Sequence, residues 1–329
     1  METCIVTGGA GFMGSHIAKD LLELGYKVIV LDDLSGGFVE NIPKGAKFIE
    51  GSVTDYELVN RIFSEHKIDY VFHLAAYAAE NLSHFIKRFN YNVNLIGSVN
   101  LMNAAINNNV KCFVFTSSIA VYGKNQVPMR EDMMPIPEAS YGISKLAVEL
   151  EVKTSHEVFE LNYIIFRPHN VFGEHQNIGD KYRNVIGIFM NQLMQDEPLT
   201  IFGDGEQTRA FSYIGDVSPV IAKSIQVKKA YNDVFNIGAD EVYTINQLAK
   251  EVMKVMGKTT KIKYFKARKE VKHAYSTHEK VRNVFGYKNK FTLRDGLKNM
   301  AEWAKKAGAR KSKEFSKIEI RKNLPEGWN

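Results

Sequence analysis

The stretch Val6–His16, VTGGAGFMGSH, decides the fold. The apolar run CIV precedes it, and a helical pattern, FMGSHIAKDLLEL, follows it and stops at Gly25. Gly8, Gly11 and Gly14 recur every third residue between the two. Glycines there allow a tight turn and a close backbone approach to a ligand. The helix that opens next offers free N–H groups and the positive end of its dipole to an anion. A strand, a glycine turn and a helix in that order predict a diphosphate cradle. The second apolar run, KVIVLDD, supplies the partner group. Asp32 closes it about twenty residues on, where a carboxylate accepts hydrogen bonds from both hydroxyls of a ribose and repels a further phosphate. NAD is therefore the expected cofactor, with Asp33 as the alternative if the register slips by one.

The alternation continues outward. KFIEGS, DYVFHLAA, CFVFTSS and NYIIFRP read as strands, and YELVNRIFSEH and NLIGSVNLMNAAINN as the helices between them. Continuous apolar strands separated by helices predict a parallel sheet covered on both faces, a Rossmann-type doubly wound α/β fold. After Gly173 the rhythm loosens. NVIGIFMNQLMQ, TINQLAKEVMKVMG and LRDGLKNMAEWAKKAG read as helices, PLTIFG as a short strand and GDGEQTR as a loop. The expected organisation is a dinucleotide domain over 1–172 with a return segment near 211–240, and a smaller substrate lobe mainly over 173–329. No repeat, low-complexity tract or linker separates them, so interleaved lobes are expected.

Composition limits the alternatives. Of 329 residues 45% are apolar and 24% charged, an ordinary globular balance. No apolar run reaches the length of a membrane span. The start, METCIVTGG, lacks a basic and apolar leader pattern, and a cytoplasmic location is expected. Cys4 and Cys112, the only cysteines, sit in apolar strands, which suits buried thiols. No metal site is expected. The net charge of +6 comes largely from KKAGARKSKEFSKIEIRK, Lys305–Lys322, which reads as a solvated face. Nucleic acid is not an expected partner; a positive bias also suits an anionic small substrate.

Two further stretches carry the chemistry. CFVFTSS ends in Ser117 and Ser118, and strand ends are where ligands of such sheets sit. ASYGISK places Tyr141 and Lys145 one helical turn apart, on one face. A free tyrosine, with a pKa near 10, is a poor base at neutral pH. A nearby ammonium and an oxidised nicotinamide both favour the phenolate. The expectation is that Tyr141 takes a proton from a carbinol while a strand-end serine holds the same oxygen.

Taken together, TGGAGFMGSH, FHLAA, SSIAVYG, YGISK, RPHNVFG and LTIFGDGEQTRAFSYIGDV resemble the extended short-chain dehydrogenase/reductases, in the group of NAD-dependent sugar epimerases and dehydratases. The likeness spans nearly the whole chain and is greatest to UDP-glucose 4-epimerases. It implies a nucleotide-sugar substrate, transient oxidation at C4, and a homodimer formed through two helices of the first lobe. It makes Tyr141, Lys145 and Ser118 catalytic, with Ser117 beside them at the cofactor. It also implies cofactor contacts from Phe12, Met13, Ser52, Val53, Leu74, Ala75 and Ala76, and places Asn94 there in a scaffolding role. Asn170 and Arg209 would meet the substrate diphosphate, Thr200, Phe202 and Val185 the base, and Arg268 the substrate.

The chain also departs from that pattern. Ser52 stands where Asp is usual, Ala210 follows Arg209 where Asp is common, and Arg268 lies in a blurred context, ARKEVKH. AYAAENLSHFIKRFNYN, which borders the expected sugar site, is unusual wording. In EHQNIGDKYRN, His175, Lys181 and Arg183 read either as anion ligands or as a solvated loop. The resemblance ties sugar dehydratases to an Asp-Glu pair after the serine and decarboxylases to a Glu before VYG; Ile119 and Ala120 stand there. A 3,5-epimerase would add an acid/base, often a Cys–Lys pair, and both cysteines lie in the wrong strands. The minimal reaction remains: C4 oxidation and return to the opposite face. A 4-dehydrogenase, another nucleotide sugar, or a non-catalytic dinucleotide sensor are the alternatives.

Overall fold

A computed structural model describes residues 1–124, 126–311 and 315–328. Strands β1 (Thr3–Thr7), β2 (Lys27–Asp32), β3 (Lys47–Glu50), β4 (Tyr70–His73), β5 (Cys112–Thr116), β6 (Tyr163–Pro168) and β7 (Asp233–Ile237) form one sheet, in the order β7-β6-β5-β4-β1-β2-β3. Every pairing in it is parallel. The central strands are buried on both faces, which is why they read as unbroken apolar runs rather than alternating ones.

The helices α1 (Phe12–Glu23), α2 (Tyr56–Glu65), α3 (Gly97–Asn107), α4 (Ser140–Phe159) and α5 (Ile214–Lys223) pack onto the two faces. Asp55 starts α2 by accepting from the Leu58 amide at 3.0 Å, an N-cap. α1 opens at Gly11 with no side-chain cap, so its first N–H groups stay available. The strand order reverses between β1 and β4, which opens a crevice above the carboxyl ends of β1, β4 and β5.

Residues beyond β6 build a second layer that does not stand apart. Val171–Phe172 pairs with Ser212–Tyr213, α5 packs on α1, and β7 lies on the sheet edge beside β6. One apolar core runs from α1 and β1 through α5 to the helices Val185–Met194, Ile245–Met256 and Leu293–Ala307. Thr244 and Gln247 close a reciprocal cap at the start of Ile245–Met256, and Gly257 ends it in the left-handed region at φ +68°. Among the described residues no helix is long and apolar enough to cross a membrane.

Candidate active site

The glycine turn is closed by its own backbone. A Cβ on Gly14 would stand 2.1 Å from the Gly8 carbonyl oxygen, and one on Gly8 would stand 2.8 Å from the Ala75 amide nitrogen. Gly8 also holds φ +71°, a conformation L side chains resist. The turn is therefore pressed between β4 and α1, with the start of α1 facing the crevice. Asp32 anchors its far side. One carboxylate oxygen accepts from the Ala10 amide at 3.0 Å and the other from the Leu34 amide at 2.8 Å. Burial raises its carboxyl pKa, and those amides oppose the rise.

Below the end of β5 lies a buried charge network. Arg167 donates through Nε and Nη2 to both oxygens of Glu149, at 2.9 and 2.5 Å, and through Nη1 to the Tyr122 phenol at 2.7 Å. Ser117 Oγ donates to Glu149 at 2.5 Å. Its hydroxyl is thus committed downward, into the network. Ser118 turns the other way, caps the turn Ile119–Val121 by accepting from the Ala120 amide at 3.1 Å, and lies near enough to the Tyr141 phenol to lower its pKa. The two adjacent serines therefore point their hydroxyls at different partners, Ser117 at Glu149 and Ser118 at the Ala120 amide.

Tyr141 and Lys145 occupy the first two turns of α4, both buried. Lys145 Nζ donates to the Thr116 carbonyl at 2.8 Å and lies 4.7 Å over the Phe115 ring. Burial lowers its pKa to about 7, while Glu149 opposes that shift. In the protein without its cofactor, burial raises the Tyr141 phenol well above the tyrosine value; Ser118 lowers it, the Glu80 charge raises it and the Arg183 charge lowers it. The amine is spent on a carbonyl and is itself partly neutral, so in the protein alone the phenol stays protonated. Ser118, just past the end of β5, and Tyr141, on α4, both line the crevice.

A cavity of about 790 Å³ runs from the glycine turn to the second layer. Gly8, Gly11, Phe12, Met13, Gly14, Asp32, Ser52, Val53, Leu74, Ala75, Ala76 and Ser117 line one end, and Ser118, Tyr141 and Lys145 lie at its waist. Asn170, Val185, Thr200, Phe202, Arg209 and Arg268 line the other. Asn94 is the exception. It is buried away from the cavity wall and brackets Tyr77, accepting from its amide at 2.8 Å and donating to its carbonyl at 3.2 Å. These bonds fit the scaffolding role that the resemblance implied for Asn94, at the wall that Tyr77 forms.

The far end is built from arginines. Arg209 donates to the carbonyls of Thr208, Lys272 and Val271, at 2.7 to 3.0 Å, and its guanidinium lies 4.0 Å from Glu270. Arg268 bonds Glu270 at 3.2 Å and stacks 4.4 Å over the Phe202 ring. Thr200 is tied on both its amide and hydroxyl to Gln192, and Asn170 donates to the Ala210 carbonyl. Ser52 bonds Thr54 at 2.9 Å on the cavity rim.

Several wall residues escaped sequence reasoning. Arg183, read as part of an anion site or a solvated loop, lies 4.4 Å over the Tyr77 ring, pairs with Asp180 at 2.7 Å and lines the cavity. Lys181 also lines it and donates to the Gly327 carbonyl at 3.1 Å. His175 stands elsewhere, bonded to Ser15 and 4.9 Å from the His16 ring, and burial lowers its pKa to about 4. Glu80 projects into the cavity from the short helix Glu80–Ser83. The stretch Lys305–Lys322 is not simply a solvated face: Arg310 stacks 3.7 Å over Phe38, and Phe315 packs on Tyr77 and Phe89, while 312–314 lie outside the described residues. Beyond it Trp328, 4% exposed, seats against Tyr182, Phe85 and Phe202 and closes the arginine end of the cavity. Phe315 inside an otherwise basic stretch, and Trp328 just beyond it, were the available signal.

The glycine cradle that admits no Cβ, the uncapped start of α1 and the carboxylate at the end of β2 fit the diphosphate and ribose of a dinucleotide. The sequence profile of the NAD-dependent epimerase/dehydratase family matches residues 4–238. A putative UDP-glucose 4-epimerase of Methanocaldococcus jannaschii is 33% identical over 92% of this chain and 98% of its own. A dTDP-D-glucose 4,6-dehydratase of Mus musculus is 30% identical over 92% of this chain and 88% of its own. The structure of a Thermotoga maritima UDP-glucose 4-epimerase with UDP-glucose superposes with a TM-score of 0.89 at 36% identity, covering 93% of this chain and 99% of that one. With two thirds of its length matched by the profile and its crevice built as described, this chain belongs to the NAD-dependent epimerase/dehydratase family.

Proposed function

We propose that the protein is a nucleotide-sugar 4-epimerase of the UDP-glucose/UDP-galactose type. The observation that carries this reading is the hydroxyl pair Ser118–Tyr141 at the cavity waist, with Ile119 and Ala120 following the serine. A phenol and a serine suffice to move one proton at a carbinol oxygen. The turn after Ser118 supplies no carboxylate for dehydration, unlike the Asp-Glu pair that the resemblance ties to dehydratases.

NAD, when bound, supplies the two-electron acceptor and donor for C4. The chain does the rest. Tyr141 Oη takes the proton of the 4-hydroxyl and returns it, Ser118 Oγ fixes the same oxygen, and Lys145 holds the end of β5 and places positive charge beneath the phenol. Arg209 and Arg268 are assigned to the diphosphate, with Phe202, Thr200 and Val185 at the base, supported by their common wall. The homodimer reading rests on the exposed Ile143, Leu150, Val158 and Phe159 along α4 and Ile96 before α3.

The experiment is incubation of the purified protein with UDP-glucose and UDP-galactose, scoring C4 inversion by NMR, with Tyr141→Phe alongside. Inversion by the wild type and a loss of roughly 10²–10⁴-fold in the variant are expected. A 4,6-dehydrated product, or a ketose released with one equivalent of NADH, would replace the reading with a dehydratase or a 4-dehydrogenase.

A further inference from the structure

The sugar end of the cavity holds a carboxylate that the proposed reaction does not use. Glu80 opens the short helix Glu80–Ser83, and Ser83, one turn later on the same face, accepts the Tyr141 amide through Oγ at 3.0 Å. The helix is therefore docked on the start of α4, and Glu80 and Tyr141 line the same cavity, where the Glu80 charge raises the phenol pKa. The Glu80 side chain is exposed to the cavity yet enclosed by protein, and this desolvation raises its carboxyl pKa. The charges that reach it are those of Arg209, Glu270, Arg268 and Glu138.

None of these neighbours neutralises it by contact. Among the described residues no ion pair joins Glu80 to either arginine: Arg209 donates to three backbone carbonyls, and Arg268 Nε donates to Glu270. Arg183, the other cation whose charge reaches the phenol, is paired with Asp180. The carboxylate oxygens of Glu80 thus face open space beside Tyr141, as acceptors awaiting donors. A carboxylate that faces a cavity with no protein donor in contact can accept from the hydroxyl groups of a ligand. A ligand that brings a second carboxylate adds like-charge repulsion in a poorly solvated space.

Resting on the nucleotide-sugar reading above, we propose that Glu80 selects the sugar: it accepts hydrogen bonds from the hydroxyls of a neutral hexose and excludes a sugar that carries a carboxylate. The diphosphate and the sugar would then be read in one cavity by groups of opposite charge, Arg209 and Arg268 for the first and Glu80 for the second.

The test is calorimetric titration of the NAD-loaded protein with UDP-glucose and with UDP-glucuronate. The wild type is expected to bind UDP-glucose at least about tenfold more tightly than UDP-glucuronate. Glu80→Gln keeps the acceptor and removes the charge, so the ratio is expected to fall to about threefold or less, mainly through tighter binding of UDP-glucuronate. Glu80→Asp keeps the charge and should keep the discrimination; it serves if the glutamine variant does not fold, as judged by circular dichroism. Equal wild-type affinities, or a ratio unmoved by Glu80→Gln, would overturn the proposal while C4 inversion of UDP-glucose left the epimerase reading intact. Failure of the wild type to bind either nucleotide sugar would overturn both.

Discussion

Lys145 Nζ donates to the Thr116 carbonyl across 2.8 Å, which ties α4 to the end of β5 directly beneath the reactive phenol. The amine is buried, and burial brings its pKa from 10.5 to about 7. In the unfolded chain the same amine binds its proton up to about 10.5. Between those two values the unfolded state holds more protons, so this residue's destabilising contribution is full below pH 7 and fades as pH rises toward 10. Lys145→Met removes it. The melting-temperature difference between variant and wild type, both without nucleotide, is expected to shift toward the wild type as pH goes from 6 to 10. A difference independent of pH would show that the amine titrates as it does in water.

The pair Glu149–Arg167 lies in the core, with side chains 0% and 3% exposed. Removing one partner strands the other charge. Glu149→Ala is expected to cost about 3–5 kcal/mol in urea unfolding, and the double variant Glu149→Met, Arg167→Met distinctly less than the single change. Equal losses in both would mean the network contributes nothing beyond packing.

Gly14→Ala places a methyl 2.1 Å from the Gly8 carbonyl, and the contact is backbone, which cannot swing aside. The turn must open for the variant to fold at all. NAD affinity, read by quenching of protein fluorescence, is expected to drop by more than about tenfold, the equivalent of one misplaced diphosphate hydrogen bond. Retained affinity would mean that α1 can shift without disturbing the cradle.

Trp328 closes the arginine end of the cavity, 5.8 Å from Arg268 and 6.4 Å from Phe202 by ring centroid. Trp328→Ala is expected to weaken UDP binding by roughly tenfold or more, as buried aromatic anchors do, and to leave NAD affinity as it was. Titration with UDP and with NAD separates the two sites.

The glycine turn, Asp32, the strand-end serines and the Tyr141–Lys145 spacing could all be read from the sequence because each depends on local geometry. A turn needs its glycines within seven residues, and a helix face needs a spacing of four. The arginine end was reached through motif likeness, since Arg209 and Arg268 meet only after the chain has folded. Glu80 and Trp328 were out of reach for a different reason. Their neighbours in sequence carry no chemistry, and what gives them a role is their distance to Tyr141 and to Arg268, set by packing across many residues. The desolvation of the phenol was likewise illegible, because a favourable spacing says nothing about burial, which raises its pKa in the protein alone.

The segment 315–328 is seated on the cavity wall through Phe315 on Tyr77 and Phe89, Glu319 on the Arg88 and Phe89 amides, the Glu319 and Ile320 amides on the Phe85 carbonyl, Gly327 on Lys181, and Trp328. If seating this segment improves the grip on a nucleotide, then the nucleotide must improve the seating of the segment by the same factor, because the two equilibria share one thermodynamic cycle. Substrate occupancy is then written into the solvent exchange of backbone amides that never touch the sugar, and the protein reports its own loading at a place where no reaction occurs.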